Sequence, residues 1–413
     1  MTAMKIRVQL PVSGLECGLS EMEASVQTHV RRYATQVLRP LGTRLDRLPA
    51  AAVVQEASEY WQVFAEFEKL GLTLETLLQL PDVERGRLLA IVFEELGWGD
   101  AGLAVALGAA LIPGIVSAQN GRLDMLARYP GRLGCWAITE PDHGSDMLDS
   151  SGHARHPGTQ HGRANCRVHL DGDRLWIDGQ KSAWVSNGPS AQLAALFCGL
   201  VDDHGDDQRC VVLVPLDAPG VSRGQALDKI GQRALPQGEI FFDHVCLPRD
   251  HLLADAQQYA AAEYAVLTQA NSLMGAIFTG VARAAYEQAL AYAQQRRQGG
   301  VPLVQHQHVR YRLFHMFRKL EAARALARQT LLFNHSVSTP ALQGAIASKV
   351  TATQTAFELA SEAVQMFGGN GLSREYPLEK LLRDARASLI EDGCNELLAI
   401  KGGSLLSATD ADD

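Results

Sequence analysis

QMFGGNGLSREYPLEKLLRDARASLIEDGCNE, residues 365–396, decides how this chain is read. It opens on Gly368-Gly369-Asn370-Gly371, a turn where backbone can approach a ligand with no Cβ in the way. A helix is predicted over 377–390. Leu378, Leu381 and Leu382 are spaced for one buried face, and Lys380, Arg383 and Arg386 fall on the other. Pro377 suits the first turn, where its missing N–H would have no helical partner. The helix runs into Glu391-Asp392-Gly393, two carboxylates at the rim of a glycine break. Such a carboxylate is a candidate general base. It is equally what a solvated helix end looks like.

Working outward, the 413 residues are enough for two or three domains with large cores. A 46% hydrophobic and 20% charged composition is that of a globular chain. The net charge of -8, with no basic run to follow a phosphate backbone, argues against nucleic acid as a partner. Seven cysteines stand singly with no C-x-x-C pair, which suggests neither a zinc site nor a disulfide framework. A reduced, cytoplasmic setting is expected. The opening MTAMKIRVQLPVSG has no apolar core fit for a signal peptide, and no window is expected to reach the ~20 apolar residues of a membrane span.

Residues 1–134 read as a helical domain, with helices over 21–38, 56–70, 83–96 and 103–111. In the third, Leu88, Leu89, Val92, Phe93 and Leu96 share a face. Residues 135–250 change texture to short β-type runs separated by Gly, Pro and Asp, the pattern of a small antiparallel barrel or sandwich. Residues 251–413 return to helical spacing, and long runs with short connections predict a C-terminal four-helix bundle. The expected fold is therefore mainly α with a central β domain.

Two further motifs lie in the β-rich part. One is Trp136-Ala137-Ile138-Thr139-Glu140-Pro141, followed by Asp142-His143-Gly144-Ser145-Asp146. The other is Lys181-Ser182-Ala183-Trp184-Val185-Ser186-Asn187-Gly188. With the C-terminal stretch, which carries Glu375-Tyr376-Pro377, Arg383-Asp384 and Asp392-Gly393-Cys394-Asn395-Glu396, they closely resemble the acyl-CoA dehydrogenase family. That resemblance implies FAD as cofactor and an α,β-dehydrogenation of an acyl thioester, carried on CoA or on an acyl carrier protein. It implies an electron-transfer flavoprotein as acceptor. It puts Thr139 at the N1–C2=O end of the flavin, Trp184 and Ser186 against the ring near N5, and Ser145 at the pyrophosphate. Trp136, Ile138, Gly144, Gln365, Gly368, Gly369, Cys394 and Glu396 follow as further cofactor positions, and Ser145 and Gly393 as substrate contacts. Reduction builds negative charge at the N1 end, so hydroxyl and N–H donors are the groups such a site needs.

Arg296-Arg297-Gln298-Gly299-Gly300 resembles the family segment whose arginine reaches the FAD pyrophosphate of a neighbouring subunit. Arg296 and Gln365 then imply a homodimer or homotetramer. Asp392 takes the place of the catalytic base. Glu391 leaves the backbone in a different direction and is expected to stay out of the site, so that Glu391→Gln does little.

The departures from the family are specific. Asp392 replaces the usual Glu, Cys394 a Thr, Asn271 an Arg, and Gly299 a Phe; Ala270 stands at an alternative base position. The segment SSGHARHPGTQHGRANC, residues 150–166, is an insertion whose three histidines and cysteine fit no regular ligand spacing. It reads as a mobile loop without metal. Two other functions stay open. One is a nitroalkane-oxidase-like flavin oxidase, whose Asp base is paired with an Arg seven residues on, here Ala399. The other is a non-catalytic flavoprotein relative, of the kind with a basic C-terminal surface; this chain ends SATDADD.

Overall fold

The computed structural model describes residues 10–148, 159, 161–201 and 207–407. Eight helices come first: α1 (Glu21–Tyr33), α2 (Arg39–Leu45), α3 (Ala50–Val53), α4 (Tyr60–Glu68), α5 (Leu74–Gln79), α6 (Asp82–Gly99), α7 (Ala101–Gln119) and α8 (Leu123–Leu126). Ser20 opens α1 with a reciprocal cap, in which its Oγ accepts from Glu23 N–H and Glu23 Oε2 accepts from Ser20 N–H. A π-helical turn, Ala34–Leu38, joins α1 to α2.

The sheet follows: β1 (Gly134–Ala137), β2 (Cys166–Asp171), β3 (Arg174–Lys181), β4 (Leu193–Val201), β5 (Asp207–Pro215), β6 (Val221–Arg223), β7 (Ile240–Pro248) and β8 (Leu252–Ala254). Its order is β6-β7-β3-β2-β4-β5-β8, with β1 beside β4. Both β1 and β2 run parallel to β4. The sheet is thus mixed, where the spacing of the runs predicted an antiparallel one. Alternation along a strand reports which side chains are buried and says nothing of the neighbour's direction.

β4 is buried on both faces. Leu193, Ala195 and Phe197 face the helices together with Val211 and Leu213 of β5. Ala194, Leu196 and Cys198 face away, into a core shared with Cys135, Cys166 and Cys210. Four of the seven cysteines therefore meet as buried free thiols. Cys166 belongs to β2 and not to the expected loop. Residues 150–158 and 160 of that insertion lie outside the described residues, as do 408–413 of the acidic tail.

The chain closes with α9 (Tyr259–Gln295), a hairpin of β9 (Arg297–Gln298) and β10 (Val301–Pro302), α10 (Gln307–Ser336), α11 (Leu342–Phe367), α12 (Leu378–Ser388) and α13 (Asn395–Ser407). Contrary to the sequence expectation, α7 and α9 are each long and apolar enough to cross a membrane, but 72% and 89% of their apolar windows are buried inside the fold. A helix packed on every side is apolar all round.

The first and last helical parts share one core. Phe93 and Leu96 of α6 pack with Ile277, Phe278 and Val281 of α9. The crossing is close: a Cβ on Gly97 would lie 1.9 Å from Ile277 O, and one on Gly280 2.0 Å from Glu94 O. Beside it the buried Arg283 guanidinium donates to Glu94 at 2.7 Å and to Glu95 at 2.6 and 2.9 Å. Arg324 and Arg328 also bind Glu94. This ion network fixes α9, one wall of the cavity described next, against α6.

Candidate active site

A cavity of about 660 Å³ opens between α7, the first sheet motif, α9 and the turn after α12. One side is apolar and built partly from small residues: Val105, Gly108, Ala109 and Ile112 from α7, and Ala270, Leu273, Met274 and Ile277 from α9. The other side carries the polar groups. Trp136, Ile138, Thr139, Gly144, Ser145, Trp184, Ser186, Asp392 and Gly393 all line it, so residues some 250 positions apart in the chain meet here.

Local bonds explain how they are held. Lys181, wholly buried, donates through Nζ to Glu140 Oε1 at 2.6 Å and to the Ile138 and Phe197 carbonyls at 3.1 and 2.6 Å. This ties the end of the first motif to β3 and β4. Ser182 Oγ donates to Thr139 Oγ1 at 2.8 Å, Gln237 Nε2 to Ser186 Oγ at 3.2 Å, and Cys394 N–H to Ser145 Oγ at 3.4 Å. Each of the three cavity hydroxyls accepts from the protein, and among the described residues none of them donates, which leaves its proton to a ligand. Trp184 is a large aromatic left 60% exposed on the cavity wall, and Trp136 Nε1 is buried with no partner among the described residues. A bare aromatic face, an orphaned N–H and three hydroxyl donors fit a flavin, whose reduced ring is an anion-stabilising problem.

Asp392 sits in the turn between α12 and α13 with φ +50, followed by Gly393 at φ +94. Among the described residues no hydrogen bond ties its carboxylate. Burial raises its pKa, opposed by the nearby Lys349 ammonium. Glu391 is not the bystander expected. It lines the same cavity, because the left-handed backbone at Asp392 turns the chain back on itself there. Its Oε2 accepts from Gln232 Nε2 at 2.6 Å. Burial lifts its carboxyl to about 7, against the pull of Lys229 and Gln232. Lys229, in turn, donates to Gln237 Oε1 at 2.5 Å, and burial lowers it to about 8.

Arg296, Gln365, Gly368, Gly369 and Glu396 do not line this cavity, nor does Cys394, which touches it only through its N–H on Ser145. Arg296 caps the C-terminal end of α9 and is exposed; Gln365 lies in the last turn of α11, Gly368 caps it and Gly369 follows in a 3-10 turn, and all three are exposed too. Those two helix ends are joined: Tyr292 stacks on Phe367 at 3.8 Å, and Asn370 Nδ2 donates to Tyr292 OH at 3.0 Å. The cofactor residues inferred from sequence therefore fall into two places in one chain.

Sequence reasoning missed Lys349, Gln232, Lys229 and Gln237. Lys349 left one signal, a lone cation within the apolar run of α11.

The family model described as "Acyl-CoA dehydrogenase, middle domain" matches residues 135–245, and "Acyl-CoA dehydrogenase, C-terminal domain" matches 260–401. Benzylmalonyl-CoA dehydrogenase of Aromatoleum aromaticum is 29% identical over 400 residues, covering 94% of this chain and 98% of that protein. Cyclohexane-1-carbonyl-CoA dehydrogenase of Geobacter metallireducens is 27% identical over 379 residues, 89% of this chain and 94% of that protein. The solved structure of butyryl-CoA dehydrogenase from Megasphaera elsdenii superposes with a TM-score of 0.82 at 24% identity, over 95% of this chain and all of that one.

Proposed function

The chain belongs to the acyl-CoA dehydrogenase family of FAD-dependent oxidoreductases, and from that premise we propose that Asp392 is the base of an α,β-dehydrogenation of a bulky acyl thioester. The observation that carries this is the Asp392 carboxylate itself, in the cavity wall, held by no hydrogen bond among the described residues and raised in pKa by burial. A carboxylate stripped of water and left unclaimed is a stronger base toward a weakly acidic C–H. Bound FAD supplies the two-electron acceptor for the β-hydrogen. Thr139 and Ser186 would hold its ring by donating their hydroxyl protons, with Trp184 against its face.

The α-proton is acidic enough only when the thioester oxygen is held by donors. Among the described residues the Asp392 and Gly393 N–H groups donate to no acceptor, and both sit in the cavity wall beside the carboxylate. They are the donors we assign to that oxygen. The small side chains of Gly108, Ala109 and Ala270 leave width on the apolar side, which supports a ring or branched acyl group. The acyl groups named for the two relatives are of that kind. Asp is one methylene shorter than Glu, so its oxygens retreat by about 1.5 Å, the length of one C–C bond. Bulk near the α-carbon would accommodate that. CoA and acyl carrier protein both remain as carriers, with an electron-transfer flavoprotein as acceptor.

The test is anaerobic bleaching of the protein-bound flavin by a panel of thioesters, in wild type and Asp392→Asn. The variant is expected to keep its FAD and its thioester affinity and to lose bleaching by on the order of a thousandfold or more. Wild-type bleaching rates in Asp392→Asn would end the assignment. Oxygen uptake with nitroethane, and no bleaching by any thioester, would instead favour the nitroalkane-oxidase-like reading.

A further inference from the structure

We propose that Lys349, on α11 and outside the cavity lining, is the positioning residue of this site: it holds the Asp392–Gly393 turn and, through the Gly393–Cys394 peptide, polarises the Ser145 hydroxyl. The proposal rests on the assignment of Asp392 as base.

Lys349 is wholly buried. Its Nζ donates to Gly393 O at 2.8 Å and to Asn395 Oδ1 at 2.7 Å. Asn395 is locked in turn: its Nδ2 donates to Thr353 Oγ1 at 3.1 Å and its N–H to Leu389 O at 3.0 Å. The segment from the end of α12 to the start of α13 is therefore pinned to one turn of α11, with Asp392 in the middle. That pinning has something to resist. Asp392 is a non-glycine residue held at φ +50, a conformation that persists only where the surroundings over-determine it. Gly393 at φ +94 lets its carbonyl turn inward to the ammonium.

The same peptide has a second end. The C=O of Gly393 accepts from Lys349, while the N–H of the next residue, Cys394, donates to Ser145 Oγ at 3.4 Å in the cavity. A cation on the carbonyl makes the N–H of that peptide a better donor, and a hydroxyl that accepts a stronger hydrogen bond becomes a better donor itself. Lys349 thus reaches the ligand-facing proton of Ser145 through one peptide unit. A neutral residue of the same shape could pack under the turn; only a cation polarises it.

The charged and titratable groups acting on Lys349 are Asp392, Glu391, Cys394 and Glu396, and the cation acting on Asp392 is Lys349. Burial lowers Lys349 to about 8, so it is still mostly charged at neutral pH.

The experiment uses the FAD-bound protein and its best thioester, in wild type, Lys349→Met, Ser145→Ala and the double variant. Visible absorbance reports whether each retains FAD. Lys349→Met is expected to slow bleaching at least tenfold and to move the acid limb of the pH–rate profile upward, because Asp392 loses the one cation that holds it down among the described residues. Ser145→Ala should weaken thioester binding without moving that limb, and its effect should shrink in the Lys349→Met background. An unmoved limb, or strictly additive effects of the two substitutions, would overturn the proposal and leave Lys349 a packing residue. If Lys349→Met does not retain FAD, Lys349→Gln, neutral but still a donor, is read by the same profile. A wild-type bleaching rate in Asp392→Asn brings down the base and this proposal together. A dead Asp392→Asn beside a wild-type profile in Lys349→Met brings down the proposal alone.

Discussion

Glu391→Gln is the substitution on which sequence and structure disagree most. Placed out of register, Glu391 would be a solvated acid whose loss does nothing. In the fold it is clasped by Gln232 in the cavity wall, and burial lifts it from 4.5 to about 7. That rise means ionising Glu391 costs on the order of 3 kcal/mol more in the folded protein than in the unfolded chain. The folded pKa is raised, so the group's contribution to stability is whole below pH 4.5 and is lost as pH climbs through about 7. Glutamine carries no charge and keeps an oxygen for Gln232. Glu391→Gln should therefore match wild type near pH 4.5 and exceed its stability by on the order of 3 kcal/mol above pH 8. For 413 residues the unfolding entropy is about 0.9 kcal/mol per kelvin, so the gain appears as roughly 3 °C in Tm. The assay is Tm against pH for both proteins at saturating FAD. Parallel curves from pH 4.5 to 8.5 would refute the reasoning, because they would mean that Glu391 titrates as an ordinary exposed acid.

Arg283→Met should destabilise by about 3–5 kcal/mol in denaturant titration, since it leaves two buried carboxylates short of a partner; a loss under about 1 kcal/mol would mean that Arg324 and Arg328, with Arg31 at 3.1 Å from Glu95, carry the network without it. Arg296→Gln should lower FAD retention while the fold and the cavity stay intact, because exposed Arg296 is proposed to reach a neighbour's cofactor. Light scattering should then show at least a dimer, and a monomer with full FAD and activity would refute that role.

Much of the cavity lining was legible in the chain. Thr139, Ser145, Trp184, Ser186 and Asp392 are recognisable because each stands in a short motif, and the structure gathers all five into one cavity. The helical, β and helical order was legible too, because periodicity of 3.6 or 2 is a local property that burial imprints on consecutive residues. What local pattern could not carry is the identity of distant partners. β1 and β2 run parallel to β4, and nothing within a strand encodes its neighbour's direction. Glu391 meets Gln232, 159 residues away, and the burial of that place raises its pKa, with Lys229 and Gln232 pulling it down. Lys349 is a single cation in an apolar helix until the fold sets Gly393 O and Asn395 Oδ1 against it. Arg296 and Gln365 carry motif signals as clear as Thr139, yet the bundle carries them to its far end. Which residues are candidates for chemistry was written in short stretches. Their charge state, and which of them share a cavity, follow from desolvation and contacts that exist only once the chain has folded.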